Sequence, residues 1–94
     1  MSVYFLAEIE KINDDKMYRE YIKKAKPIID SFGGKYIFKS ERLNPLAGNW
    51  NVMRIILIEF ENINKLKDCF QSEEYQKVKH LRENSVLSKG IIIE

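Results

Sequence analysis

Cys69 is the chain's one cysteine, so no disulfide can close within it and its stability must come from a packed core. One histidine, His80, with no cysteine or second histidine at ligand spacing, excludes the common zinc patterns, and no metal is expected. No apolar run approaches the ~20 residues needed to cross a bilayer. The opening stretch, Val3 to Ala7, is too short and too uncharged at its start for a secretory leader, so a cytoplasmic location with no membrane partner is expected. Neither sign of charge prevails. The 16 basic and 14 acidic residues leave a formal charge of +2, which is no electrostatic footprint for nucleic acid. A phosphate-cradling glycine loop and a Ser/His/Asp set are also missing.

What is present is ordinary globular composition. At 45% hydrophobic and 32% charged the chain has the means to fold, and its length suits a single domain spanning 1–94. A domain this small buries a modest share of its surface, and pairing with a second copy is a common remedy.

Residues 3–10 are rich in β-formers and read as a strand, with Val3, Phe5, Ala7 and Ile9 apolar on one face. Asn13, Asp14 and Asp15 offer helix caps. Beyond them Tyr18, Tyr21, Ile22, Ala25, Ile28 and Ile29 recur at helical spacing, a stripe expected to be core rather than a cofactor site. Pro27 lies inside this helix and Gly33-Gly34 end it. Residues 35–42 form a second strand, polar enough at Lys39, Glu41 and Arg42 for a sheet edge. A turn-rich loop follows at 44–49. Residues 52–60 are apolar on both faces apart from Arg54 and Glu59, as a central strand should be. A second helical stretch starts near Asn62 or Asn64 and restarts at Ser72, carrying Tyr75, Leu81 and Arg82 onward. Ser88-Lys89-Gly90 is expected to break it before a short strand, Ile91-Ile92-Ile93.

The order is βαββαβ. Right-handed crossovers make this a ferredoxin-like α+β fold whose four-stranded antiparallel sheet runs in the spatial order 4-1-3-2. Both helices then cover one face. The cleanly apolar odd positions, Val3, Phe5, Ala7 and Ile9 with Met53, Ile55 and Leu57, are the expected helix-covered set. The even positions, including Tyr4, Leu6, Glu8, Arg54, Ile56, Ile58 and Phe60, are left bare and too apolar for water. A two-fold related second copy laid on that face is the expected partner, making a homodimer that encloses a partly polar space.

With these residues set out, the chain resembles a bacterial family, the domain-of-unknown-function 1330 family, of the dimeric α/β-barrel superfamily. The matching segments are Val3 through Ile9, the Tyr18/Tyr21 spacing, Phe32-Gly33-Gly34-Lys35-Tyr36, and Leu46-Ala47-Gly48-Asn49-Trp50. They continue with Arg54 through Glu59-Phe60, Ser72 through Gln76, and Leu81-Arg82. The chain departs at Ser40-Glu41-Arg42, where the family commonly has glycines, and at Glu73, where it commonly has proline. The resemblance implies the dimeric barrel, and it implies no single reaction, because related barrels include oxygenases, isomerases, haem enzymes and plain ligand binders.

Several residues carry candidate chemistry. If the first and third strands are antiparallel neighbours, Arg54 falls near Glu8 or Glu10 on the barrel face. Such a guanidinium can hold a carboxylate or enolate, and Glu8 beside it can move a proton. The plainer reading is a cross-strand ion pair. His80 is read as a general base, a haem ligand or a rim residue. Tyr75 and Arg82 either contact an anionic ligand or pin the helix to the sheet. Trp50 walls a pocket or plugs the dimer seam. Cys69 is expected to be buried and inert.

Two functions follow. In the first, a cofactor-free enzyme does acid–base or oxygen chemistry on a small anionic organic molecule held between sheet and helices. Arg54, Arg82, Tyr75, Trp50 and Tyr4 would bind the molecule, and Glu8 or His80 would move the proton. In the second, a non-catalytic ligand-binding or stress-related module uses the same pocket. Haem binding through His80 is a third. The discriminating feature is whether polar groups converge on an open cavity or Tyr4, Trp50 and Phe60 fill it.

Overall fold

The computed structural model describes residues 1–94 and contains, in chain order, β1 (Val3–Ile12), α1 (Asp15–Ser31), β2 (Lys35–Ser40), β3 (Arg54–Phe60), α2 (Ile63–Gln71), α3 (Glu73–Glu83) and β4 (Val86–Ile93). Each helix starts where a side-chain oxygen can accept an otherwise unpaired backbone N–H. Asp14 accepts from Met17 N at 3.0 Å, Asn62 from Lys65 N at 2.9 Å and Ser72 from Tyr75 N at 3.1 Å. A cap of this kind contributes about 1 kcal/mol. Ser72 also donates to Cys69 O at 2.7 Å, so one residue closes α2 and opens α3. Helix α1 continues through Pro27 and ends at Phe32, after which Gly33 takes a φ of 80°, a conformation glycine adopts without strain.

The sheet is antiparallel throughout, in the order β2-β3-β1-β4, which is the expected ferredoxin-like arrangement. No helix is long and apolar enough to cross a membrane.

Two expectations need correction. Ser88-Lys89-Gly90 does not break a helix. Helix α3 stops at Glu83, and these residues lie inside β4, paired with Ile9, Glu8 and Ala7. Gly90 serves packing rather than chain reversal, since a Cβ there would fall 2.5 Å from Phe5 Cζ. The second correction concerns the faces of β3. Val3 stands opposite Phe60, Phe5 opposite Ile58, Ala7 opposite Ile56 and Ile9 opposite Arg54. Directly opposed residues share a face. The odd positions of β1 therefore join the even positions of β3 under the helices, and Ile55 and Leu57 lie on the open side. A strand apolar on both faces carries no alternation to reveal which face goes in, and a slip of one residue inverts it.

The core lies where the helices meet the sheet. Val3, Ala25, Ile29, Ile58, Phe60, Leu66 and Cys69 form one buried cluster, and Ile9, Tyr18 and Val86 a second. The other face carries Leu6, Glu8, Ile55 and Leu57 on the two central strands, with Phe38 on β2 and Leu87, Ile91 and Ile93 on β4. The last four are exposed.

Candidate functional site

A cavity of about 340 Å³ opens between the helices and the sheet. Its floor is the inward row of the central strands, Phe5, Ala7 and Ile9 on β1 with Arg54, Ile56 and Ile58 on β3. Its roof is helical. Tyr18, Tyr21 and Ala25 project from α1 at steps of three and four, and Tyr75, Lys79 and Arg82 do the same from α3. Tyr36 and Lys39 stand at the β2 side and Ser88 with Gly90 at the β4 side. Most of the wall is apolar, and the polar groups on it, Ser88 apart, are tyrosines and cations.

The tyrosines tie the roof together. The Tyr21 and Tyr75 hydroxyls lie 2.8 Å apart, linking α1 to α3, and the Tyr18 and Tyr21 rings stack with centroids 6.4 Å apart. Tyr18 is only 2% exposed and its hydroxyl has no partner within the chain. Burial raises the ionisation of Tyr18 above the ordinary phenol value, Arg54 opposing and Glu41 adding to it. Burial also raises Tyr21, with the adjoining Tyr75 hydroxyl adding to the effect. Tyr36 is pushed up to about 12, again chiefly by burial, with Asp30 next. These three phenols are therefore neutral donors at ordinary pH rather than bases.

The two arginines are less well satisfied. The Arg54 side chain is 17% exposed, and its guanidinium carbon sits 5.7 Å from the Tyr18 ring centre. Its Nη1 is 3.8 Å from an oxygen of the exposed Glu41 carboxylate. Its Nε is buried without an acceptor, and so is the Nε of Arg82. A buried charged donor without an acceptor is expensive to keep.

The profile of the family described as "Domain of unknown function (DUF1330)" matches residues 2–94. The chain belongs to that family. No curated protein matches it. Among solved structures, this DUF1330 chain is similar to a protein of unknown function from Rhodopseudomonas palustris, at 14% identity and a TM-score of 0.85 over 98% of this chain and 80% of that one. It is also similar to SnoaB, a cofactor-independent oxygenase from Streptomyces nogalater, at 5% identity and a TM-score of 0.72 over 99% and 91% of the two chains. A third is a dimeric ferredoxin-like protein of unknown function from Jannaschia sp. CCS1, at 11% identity and a TM-score of 0.68 over 100% and 99%. At such identities the likeness is one of fold.

In this DUF1330 chain the residues singled out by sequence divide into two groups. Arg54, Arg82 and Tyr75 meet at the cavity. Glu8 does not join them. It faces the open side, where its Oε2 is 3.6 Å from Lys89 Nζ, and Glu10 approaches the same amine at 3.4 Å. The expected Arg54–Glu8 neighbourhood is thus corrected, because Arg54 stands opposite Ile9 and its side chain goes to the other face of the sheet. Tyr4 is on the open side too, its hydroxyl donating to Glu59 at 3.4 Å. Trp50 is half exposed in the loop beside Glu8 and Glu10, donating to Ala47 O at 2.8 Å. His80 is exposed near the end of α3 and does not line the cavity. Phe60 is fully buried in the core. None of Tyr4, Trp50 and Phe60 fills the cavity, and polar groups do converge on it.

Sequence reading passed over Tyr18, Tyr21, Tyr36, Lys39 and Lys79. The missed signal is the hydroxyl. Two tyrosines three residues apart on an otherwise aliphatic stripe bring polar heads into a core, where each needs a partner.

Proposed function

We propose that this DUF1330 chain acts as a homodimer that holds a small anionic organic molecule in the cavity between its helices and its sheet. The observation that carries the reading is the pair of buried guanidinium Nε atoms, Arg54 and Arg82, both without an acceptor in the chain and both on a mainly apolar cavity. A ligand carboxylate or enolate supplies those acceptors and accepts two parallel hydrogen bonds from one guanidinium. Phe5, Ile56 and Ile58 pack on its carbon body, and neutral phenols donate to its remaining oxygens.

Binding is favoured over proton transfer. No carboxylate or imidazole lines the cavity, and the phenols of Tyr18, Tyr21 and Tyr36 resist ionisation. The homodimer rests on the open sheet face, where Leu6, Ile55, Leu57, Phe38, Ile91 and Ile93 form an apolar patch of the kind that marks an interface. The dimeric ferredoxin-like neighbour supports the same reading.

Native mass spectrometry of the freshly purified protein tests both parts. The expected mass is twice 11.2 kDa, with an organic acid retained or taken up on addition. A chain that stays single at micromolar concentration overturns the dimer. Failure of every organic acid to bind overturns the pocket reading.

A further inference from the structure

We infer that the ligand of this cavity carries two acid groups on a compact apolar body, one group for each arginine. The inference rests on the anion-binding reading above and narrows its ligand class.

The charge around the cavity carries it. Four cationic side chains line the wall, Lys39, Arg54, Lys79 and Arg82, and no carboxylate does. Lys89 also borders the cavity, but it stands opposite Glu8 and its amine is matched on the other face by Glu8 and Glu10. Arg54 meets Glu41 alone, at 3.8 Å, through a carboxylate that is 70% exposed and therefore well screened. Lys39, Lys79 and Arg82 take part in no ion pair. A ligand with a single negative charge leaves most of this charge uncompensated. Low-dielectric walls concentrate the field of such a cluster, so a second negative charge on the ligand gains more here than on open surface.

Geometry divides that charge between two places. Arg54 rises from the floor on β3 against Tyr18, and Arg82 descends from the roof on α3. Each has its own orphaned Nε, and the unpartnered Tyr18 hydroxyl is a third polar group on the same wall. Arginines on opposing elements, each lacking an acceptor, call for two acceptors rather than one. The volume, about 340 Å³, admits a small ring or short chain between them.

The test compares matched acids on the full-length protein by calorimetry at low salt: benzoate against isophthalate, and butyrate against succinate. The dicarboxylate of at least one pair is expected to bind about tenfold or more tightly, the worth of one further charged hydrogen bond. Arg82→Gln, checked for folding by circular dichroism, is expected to weaken the dicarboxylate more than its monoacid partner. Equal affinity within both pairs, with Arg54→Gln still weakening binding, overturns the two-acid inference and leaves the pocket reading standing. Phenyl phosphate, a dianion in one group, overturns the inference if it outbinds every dicarboxylate. Failure of all five probes to bind overturns both readings.

Discussion

The guanidinium of Arg54 lies 5.7 Å from the centre of the Tyr18 ring, a strand residue and a helix residue clasped across the floor and roof of one cavity. Tyr18 is almost wholly buried, and Arg54 is largely so. The contact holds the guanidinium against the ring while its Nε stays without an acceptor. It also separates Arg54 from Glu8, which belongs to the opposite face of the sheet and answers to Lys89.

Arg54→Gln is therefore expected to weaken binding of isophthalate by about 2 kcal/mol or more, as loss of a buried charged donor does. Glu8→Gln is expected to leave that binding unchanged. Calorimetry on the two variants checks the pair, and a larger loss in the Glu8 variant would contradict the assignment of faces.

Glu41 is a competitor for the incoming acid. Its exposed carboxylate sits 3.8 Å from Arg54 and must share the guanidinium with any ligand. Glu41→Gln should tighten binding of the same acid by about 0.5 kcal/mol, the scale of an exposed ion pair. The same titration reads it, and weakened binding would mean that Glu41 helps to hold the ligand.

Ile91→Glu addresses the open face. Ile91 is 60% exposed in the single chain, so a charge there costs the fold little. At an interface between two copies it would bury an unpaired carboxylate. The variant is expected to run near 11.2 kDa in light scattering with unchanged circular dichroism, and the parent protein at twice that. A variant that stays paired would move the interface elsewhere.

Alkaline unfolding follows from the buried phenols. Tyr18, Tyr21 and Tyr36 all ionise above the ordinary value of 10.0 in the folded chain, Tyr36 at about 12, while in the unfolded chain they ionise near the ordinary value. Below that value both states are protonated and the contribution to stability is whole. As pH rises past it the unfolded chain sheds protons that the folded chain keeps, so stability falls until the folded phenols follow. The Cys69 thiol acts in the same sense, raised by burial from 9.0 to about 11. The phenolate absorbance of Tyr18, Tyr21 and Tyr36 should therefore rise in one cooperative step, together with loss of helical signal. Smooth titration of Tyr18, Tyr21 and Tyr36 near pH 10 in a still-folded chain would contradict the burial.

Much of this was legible because the elements announce themselves locally. Asp14, Asn62 and Ser72 cap helices as their types suggest, and the stripe from Tyr18 to Ile29 is amphipathic in both readings. The site was legible only in part. Arg54, Arg82 and Tyr75 could be singled out as a cation pair and an aromatic, yet Glu8 could be joined to Arg54 only by assuming a register. That register came out one residue away, because the apolar run from Ile55 to Ile58 satisfies either face. Ser88-Lys89-Gly90 misled for a related reason, since glycine in a strand and glycine at a helix end look alike until Phe5 is found lying over Gly90.

By itself the sequence determined the order of elements, the helix starts and the spatial order of the strands. These depend on propensity, capping and handedness, which act over a few neighbouring residues or follow from general chirality. Tertiary structure alone decided which face of β3 turns inward, and with it which charges meet. That choice rests on pairing between Val3 and Phe60, residues far apart in the chain, and no local pattern encodes it. It put Arg54 and Arg82 into one tyrosine-walled cavity and left Glu8 and Trp50 on the other side of the sheet.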